Sequence, residues 1–205
     1  MLPPTNAGEH ERLIRERYLD LAGEFLKLYP STNMEESILA TTRDALYGWT
    51  AERLVRTQAA LGVPSFLYYF DHGYPAANSA GLHAFHASEL PFVFGTSETT
   101  TPNWPKIPAT PQETSLSEAT IGYWTSFARN GNPRAAHQPD WPAYGSARSY
   151  MAFTDAPHPS DHLWPGMYEF HEDVVSRRRA GGDTAWNWNA GIASPKLPVQ
   201  NTPPR

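Results

Sequence analysis

The sequence predicts an α/β fold, and three features of the 205-residue chain support this prediction. In several segments apolar residues recur every three or four positions, which is the period of a helix with one buried face. Two short runs, 64–72 and 149–154, are instead apolar without alternation, as expected of strands covered on both faces. A helical segment lies between these runs, and this order favours parallel pairing in one sheet.

Three helices are predicted before the first strand. The first covers 9–28 and ends before Pro30. The second covers 33–46 and follows three residues that can cap it, with acidic residues at its positive end. The third covers 50–61 and ends at Gly62, where a left-handed C-cap usually lies.

A proline-rich loop separates the first strand from a fourth helix. Ser115 or Ser117 is its predicted N-cap, and Gly131 is its predicted end. After the second strand, a last helix within 165–182 carries an arginine run at its negative end. The segment from about 190 to 205 is predicted to be a flexible tail. With 20 prolines, the chain is expected to be rich in long loops.

Composition excludes several classes of function. The net charge of -5 is spread along the chain, so no basic surface for nucleic acid is expected. No apolar run reaches the roughly 20 residues of a membrane span. Because there is no cysteine, disulfides, thiolate nucleophiles and cysteine-based zinc sites are all excluded, and no compartment is indicated. The sequence points to no cofactor.

The stretch "GLHAFHASELPFVFG", residues 81–95, concentrates ionisable groups directly before an apolar run. His83 and His86 can be ordinary loop residues. With Glu89 they also match the spacing H-x-x-H-x-x-E of a metal site, although zinc sites on one helix normally use an i, i+4 pair. A third interpretation is general base catalysis, because catalytic groups in open α/β sheets gather beyond the carboxyl ends of strands.

A nucleophile for such a base is not evident in the chain. No G-x-S-x-G sequence occurs in the 205 residues, and the nearest approach is Ser79 in "ANSAG". A nucleophile elbow needs a strand that enters a sharp turn and a helix that leaves it, whereas Ser79 follows a proline-containing loop. Ser79 is therefore interpreted as a loop residue.

Three ordered segments resemble type B carboxylesterases, the cholinesterase-like branch of the α/β-hydrolase fold. The stretch 81–95 is similar to the family pattern G-A-x-H-G-x-E-[IL]-x-[FY]-V-F-G, and "GVPSFLYYFDH" resembles the preceding strand. "YWTSFARNGNPR", followed by "WPAY", resembles a helix of the family and its tryptophan-proline sequel. The resemblance assigns the catalytic histidine to His86 and the following glutamate to Glu89. Ala87 stands where many members have glycine.

The resemblance implies that residues 1–205 are the C-terminal part of a single carboxylesterase domain, a partial α/β-hydrolase fold. In this fold the nucleophilic serine and then the acid precede the histidine. The serine and the oxyanion hole would therefore belong to a missing N-terminal part, and the chain alone is expected to be inactive. Glu9 in "NAGEH" is a candidate for the acid, but it can equally open the first helix.

The expected substrate is a small-molecule ester of undefined identity, and the expected partner is the missing N-terminal part of the same enzyme. A non-catalytic cholinesterase-like binding or adhesion domain is the alternative function. Aromatic side chains can line a substrate pocket or pin loops to the body of the domain. Those considered are Trp124, Trp141, Trp186 and Trp188.

Overall fold

A computed structural model describes residues 3–183 and 189–199. It divides the chain into two compact units. The first unit contains the residues up to Leu54 and those from Trp164 onward, and the second contains Val55–Leu163. The helices are α1 (Ala7–Tyr18), α2 (Ala22–Leu28), α3 (Met34–Arg43), α4 (Trp49–Ala60), α5 (Pro75–Ser79), α6 (Leu90–Phe94), α7 (Pro111–Asn130) and α8 (Met167–Ala180).

The predicted first helix is divided into α1 and α2 by a short 3₁₀ segment, Leu19–Leu21. Leu19 has φ of +54°, a positive value that a β-carbon disfavours. The break lies beside Asp20, whose carboxylate accepts two hydrogen bonds, of 2.5 and 2.8 Å, from the guanidinium of Arg177 in α8. A partner more than 150 positions away cannot be read from the period of the helix.

The second and third predicted helices form one continuous helical path. The residues that join α3 to α4, Asp44–Gly48, form a π-helical turn with helical dihedral angles at both ends. The side chain of Asn33 does not cap α3, so the predicted cap is wrong at this position. Gly62 adopts φ of +76°, which confirms the left-handed conformation predicted beyond the end of α4.

Aromatic side chains form the core of the first unit. Tyr18, Phe25 and Phe170 pack with ring centroids 4.6–5.8 Å apart. Leu197, within the segment predicted to be a flexible tail, is buried in the same cluster. Its backbone N–H donates to the carbonyl of Arg17 at 2.8 Å. The described part of this segment, up to residue 199, is therefore packed at Leu197.

The second unit is built on a three-stranded sheet in the order β1-β2-β3. The strands are β1 (Tyr68–Phe70), β2 (Ser149–Phe153) and β3 (Pro157–Asp161). β1 and β2 pair in parallel, as predicted, and β3 pairs with β2 in antiparallel orientation. The sequence does not predict β3, because this segment is polar and contains two prolines, which are rare inside a sheet. Proline is tolerated at a sheet edge, and β3 lies at an edge of the described sheet.

The burial of the two predicted strands differs. The central residues of β2, Met151–Phe153, are buried, as expected of a strand covered on both faces. β1 is not covered in this way, because Tyr68 is 41% exposed and the other two residues of the strand, Tyr69 and Phe70, are half-buried. The prediction for β1 is therefore wrong in this respect. β1 lies at an edge of the described sheet, which leaves one of its sides without a neighbouring strand.

The long helix α7 starts earlier than predicted. Thr110 caps it, and its side-chain oxygen accepts a hydrogen bond from the backbone N–H of Glu113 at 3.3 Å. Ser115 and Ser117 lie inside the helix, so neither is the N-cap. Gly131, with φ of +74°, ends the helix as predicted.

Candidate active site around His86

His86 lies in a turn between α5 and α6, beyond the carboxyl end of β1. The turn is closed by backbone hydrogen bonds from Ser88 to Phe85 at 3.0 Å and from Leu90 to Ala87 at 3.1 Å. The side chain of His86 is exposed. The imidazole therefore lies at the surface of the second unit.

Aromatic residues, one half-buried and one fully buried, hold the turn on both sides. Phe85, directly before His86, packs edge-on against Trp104 with ring centroids 4.9 Å apart. Phe92, on the other side, is fully buried in the aromatic cluster of the unit. The exposed imidazole is therefore attached to backbone that is anchored at two points.

The apolar run after His86 is buried only in part. It forms the short helix α6, in which Pro91 and Phe92 are buried. Leu90 and Phe94 are 43% and 70% exposed, because a helix turns successive side chains to different sides. The run therefore anchors the turn through Pro91 and Phe92, whereas Leu90 and Phe94 lie at the surface.

Ala87 has φ of +67°, in the left-handed region that favours glycine. This position follows His86 directly and is the one at which the family pattern has glycine. A left-handed φ at this position explains why the family pattern has glycine here. In this chain Ala87 has the left-handed φ despite its β-carbon, at a cost in strain.

Replacing Ala87 with glycine is expected to stabilise the chain. Removing left-handed strain gains roughly 1–2 kcal/mol. The larger backbone entropy of glycine in the unfolded chain offsets about 0.5–1 kcal/mol of this gain. We therefore expect the free energy of unfolding to rise by about 0.5–1 kcal/mol, measured by urea denaturation. Ala80→Gly is the matched control, since Ala80 has φ of -86°, and it should lower stability. Equal effects of the two substitutions would contradict the strain at Ala87.

Glu89 lies at the start of α6, and its carbonyl accepts hydrogen bonds from the backbone of Phe92 and Val93, both at 3.0 Å. Burial and the negative charge of the Glu89 carboxylate raise the pKa of Tyr68 in β1. The Glu89 side chain therefore acts electrostatically on β1, and its backbone stabilises the helix that follows the turn.

The other sequence candidates have local structural roles. The hydroxyl of Ser79 donates to the carbonyl of Pro75 at 2.9 Å, within α5. Glu9 lies in the first turn of α1 and accepts hydrogen bonds from the backbone and hydroxyl of Thr5, which lower the pKa of its carboxyl. Within residues 3–183 and 189–199, no group of three or more potential metal ligands is present, so the metal interpretation has no geometric support.

Trp141 has the predicted role of pinning a loop, and Trp124 packs beside it. Trp141 is buried, and its indole N–H donates to the carbonyl of Leu67 at 3.1 Å, which pins its loop to the sheet. Trp124 packs against Trp141 with ring centroids 5.6 Å apart. Both also line an aromatic cavity of ≈ 170 Å³. Trp186 and Trp188 lie outside the described residues.

One buried pair near the turn was not found by sequence reasoning. The imidazole Nε2 of His72 lies 2.8 Å from a carboxylate oxygen of Glu113, and both side chains are buried. The two residues are 41 positions apart, so no spacing rule connects them. The only signal is that His72 follows an apolar strand.

Comparison with known proteins assigns the sequence to a family. The family model described as "Carboxylesterase family" matches residues 6–170. The chain is 28% identical to carboxylesterase 1D of Rattus norvegicus over 147 residues, which are 70% of this chain and 25% of the rat protein. It is 30% identical over 157 residues to the fatty acyl-CoA hydrolase precursor, medium chain, of Anas platyrhynchos, covering 71% and 26% of the two chains.

A solved structure is also similar. The crystal structure of the Geobacillus stearothermophilus carboxylesterase EST55 is 32% identical to the chain, with a TM-score of 0.47, over 58% of this chain and 24% of the bacterial one. The chain thus spans about a quarter of the length of these proteins. No helix of the described residues is long and apolar enough to cross a membrane. Since the family model covers most of its length, the chain belongs to the carboxylesterase family.

Proposed function

We propose that this chain provides the catalytic histidine, His86, of a serine-dependent carboxylic ester hydrolase. The observation that carries the proposal is the exposed imidazole on an anchored turn beyond a parallel strand. This turn lies within the segment that matches the carboxylesterase family. The relatives named as carboxylesterases support an ester of a carboxylic acid as the substrate class.

The role of His86 follows from the chemistry of an imidazole. A serine hydroxyl is a poor nucleophile until a base accepts its proton, and imidazole is the side chain that most often acts as this base. His86 would accept this proton while the serine oxygen bonds to the ester carbonyl carbon. As the carbon–oxygen bond to the alcohol breaks, His86 would return the proton to the leaving oxygen. A water molecule would then attack the acyl-enzyme while His86 accepts a proton from the water. His86 would pass this proton to the serine oxygen as the bond between serine and the acid breaks.

The serine, the oxyanion hole and the acid belong, in this proposal, to a further part of the enzyme that precedes this chain. The absence of G-x-S-x-G from the 205 residues supports this division. So does the length of the relatives, of which the chain covers about a quarter. Glu9 is not proposed as the acid, because its carboxylate is engaged with Thr5 at the start of α1.

The face beside β1 is the proposed contact for the serine-bearing part. β1 lies at an edge of the described sheet, and Tyr68, Phe94 and Phe127 are exposed near it. Two cavities share Tyr68 and Trp124, and the lining of one of them is largely aromatic. In this proposal a strand of the serine-bearing part pairs with the edge of the sheet, and that part buries the exposed apolar side chains.

Two measurements test the proposal. The DNA that precedes this coding region should encode a G-x-S-x-G sequence within a few hundred codons. The polypeptide that contains both parts should hydrolyse p-nitrophenyl butyrate and be labelled at its serine by a fluorophosphonate, whereas the 205-residue chain should do neither. Hydrolysis by the chain alone at the rate of the longer polypeptide would overturn the proposed division of the active site.

A further inference from the structure

We propose that His72 and Glu113 are positioning residues that hold the His86 turn in place for catalysis, an inference that rests on the proposed function. The His72 ring is joined to Glu113 by a 2.8 Å hydrogen bond between Nε2 and a carboxylate oxygen. The two side chains are 1% and 5% exposed. Neither residue belongs to the turn, so the pair can influence the position of His86 only through the elements that His72 and Glu113 connect.

The position of His72 is fixed by the sheet. Asp71, directly before it, donates its backbone N–H to the carbonyl of Phe153 at 2.8 Å, which extends the parallel ladder of β1 and β2 by one bond. The Nδ1 atom of His72 lies 3.3 Å from a carboxylate oxygen of Asp155, two residues after β2. The imidazole is therefore located at the carboxyl ends of two parallel strands, where active sites of open α/β sheets form.

The same imidazole contacts the helix that follows His86. Its ring packs edge-on against Phe92 of α6, with centroids 5.5 Å apart and an interplanar angle of 90°. The carbonyl of Phe92 accepts a hydrogen bond from the hydroxyl of Ser117 at 3.2 Å. Ser117 and Glu113 lie one turn apart in α7. His72 thus joins the end of β1 to α7 directly and to α6 through Phe92.

Burial makes this connection sensitive to substitution. A carboxylate at 5% exposure is stable only with a partner, since desolvation of an unpaired charge is costly. Removing either member leaves the other without its hydrogen bond, and the contact with Phe92 is then free to shift. A misplacement of ~1 Å remote from the chemistry can cost ~10²-fold in rate. The predicted defect is therefore in kcat, because a remote positioning pair does not bind the substrate.

The experiment uses the polypeptide that contains both the serine and this chain, with active sites counted by fluorophosphonate titration. Glu113→Ala is expected to lower kcat per titrated site by about 10- to 100-fold, with KM changed by less than about threefold. Glu113→Gln keeps a hydrogen-bond acceptor and should restore at least a third of the rate. Glu118→Gln, on an exposed position of α7, is the matched control and should behave as wild type.

A second variant keeps the test decisive if Glu113→Ala does not fold. His72→Gln retains a donor for Glu113 but removes the ring that packs on Phe92, and it should show the same loss confined to kcat. Wild-type kcat per site in either folded variant overturns the positioning role. His86→Ala separates the two proposals: if it is inactive while Glu113→Ala is fully active, only the positioning pair is wrong. If His86→Ala is active, the proposed function itself is wrong.

Discussion

His86→Ala is expected to lower kcat for ester hydrolysis by about 10⁴- to 10⁶-fold in the polypeptide that carries the serine. Without an imidazole, no group in the turn accepts the serine proton during attack or returns it to the leaving alcohol. KM should change much less, because His86 acts on the reacting atoms and contributes little to substrate binding. Initial rates with p-nitrophenyl butyrate, corrected for titrated sites, measure the effect.

His83→Ala is the matched control for this prediction. His83 lies in the same loop, is also exposed, and is not the histidine of the family pattern. Its substitution is expected to change kcat by less than about threefold, since exposed positions away from a site alter stability by about 0.5 kcal/mol or less. Comparable losses in the two variants would show that the loop, and not the imidazole of His86, limits the rate.

Phe153→Ala should cause the largest loss of stability among single substitutions in the sheet. Phe153 is fully buried in β2, and its ring lies 5.5–5.8 Å from the rings of Tyr123, Trp124 and Trp141. Truncation of such a residue leaves a cavity and typically costs about 3–5 kcal/mol. Guanidinium denaturation of the chain, followed by far-UV circular dichroism, should show a correspondingly lower midpoint.

Phe94→Ala is the control, because it removes the same side chain from a position that is 70% exposed. We expect it to change the free energy of unfolding by less than about 1 kcal/mol. A loss as large as that of Phe153→Ala would mean that Phe94 is covered in solution. The core assigned to β2 would then need revision.

The elements that the sequence predicted correctly are those with a local cause. Fully apolar runs indicated β1 and β2 and their parallel pairing. The left-handed glycines Gly62 and Gly131 were evident from their position after helices. The catalytic assignment of His86 came from a motif and stays a prediction, because periodicity alone left three interpretations of the same turn.

The elements that the sequence did not predict depend on residues far apart in the chain. The break at Leu19 lies beside the ion pair between Asp20 and Arg177, and β3 is a strand because β2 offers it an edge. The pair of His72 and Glu113 is visible only once β1 and α7 are packed. Local patterns carry no information about such tertiary contacts, which override propensity wherever they are strong enough.

The closely packed tryptophans beside β1 give this face its own optical signal. Trp124 and Trp141 lie 5.6 Å apart and border a cavity open to solvent. Indoles at this distance couple electronically, and the emission of an indole shifts to shorter wavelength when water is excluded from its ring. The chain has seven tryptophans, so the part of the fluorescence and near-ultraviolet circular dichroism that Trp124→Phe removes reports on whether that face is wet or covered.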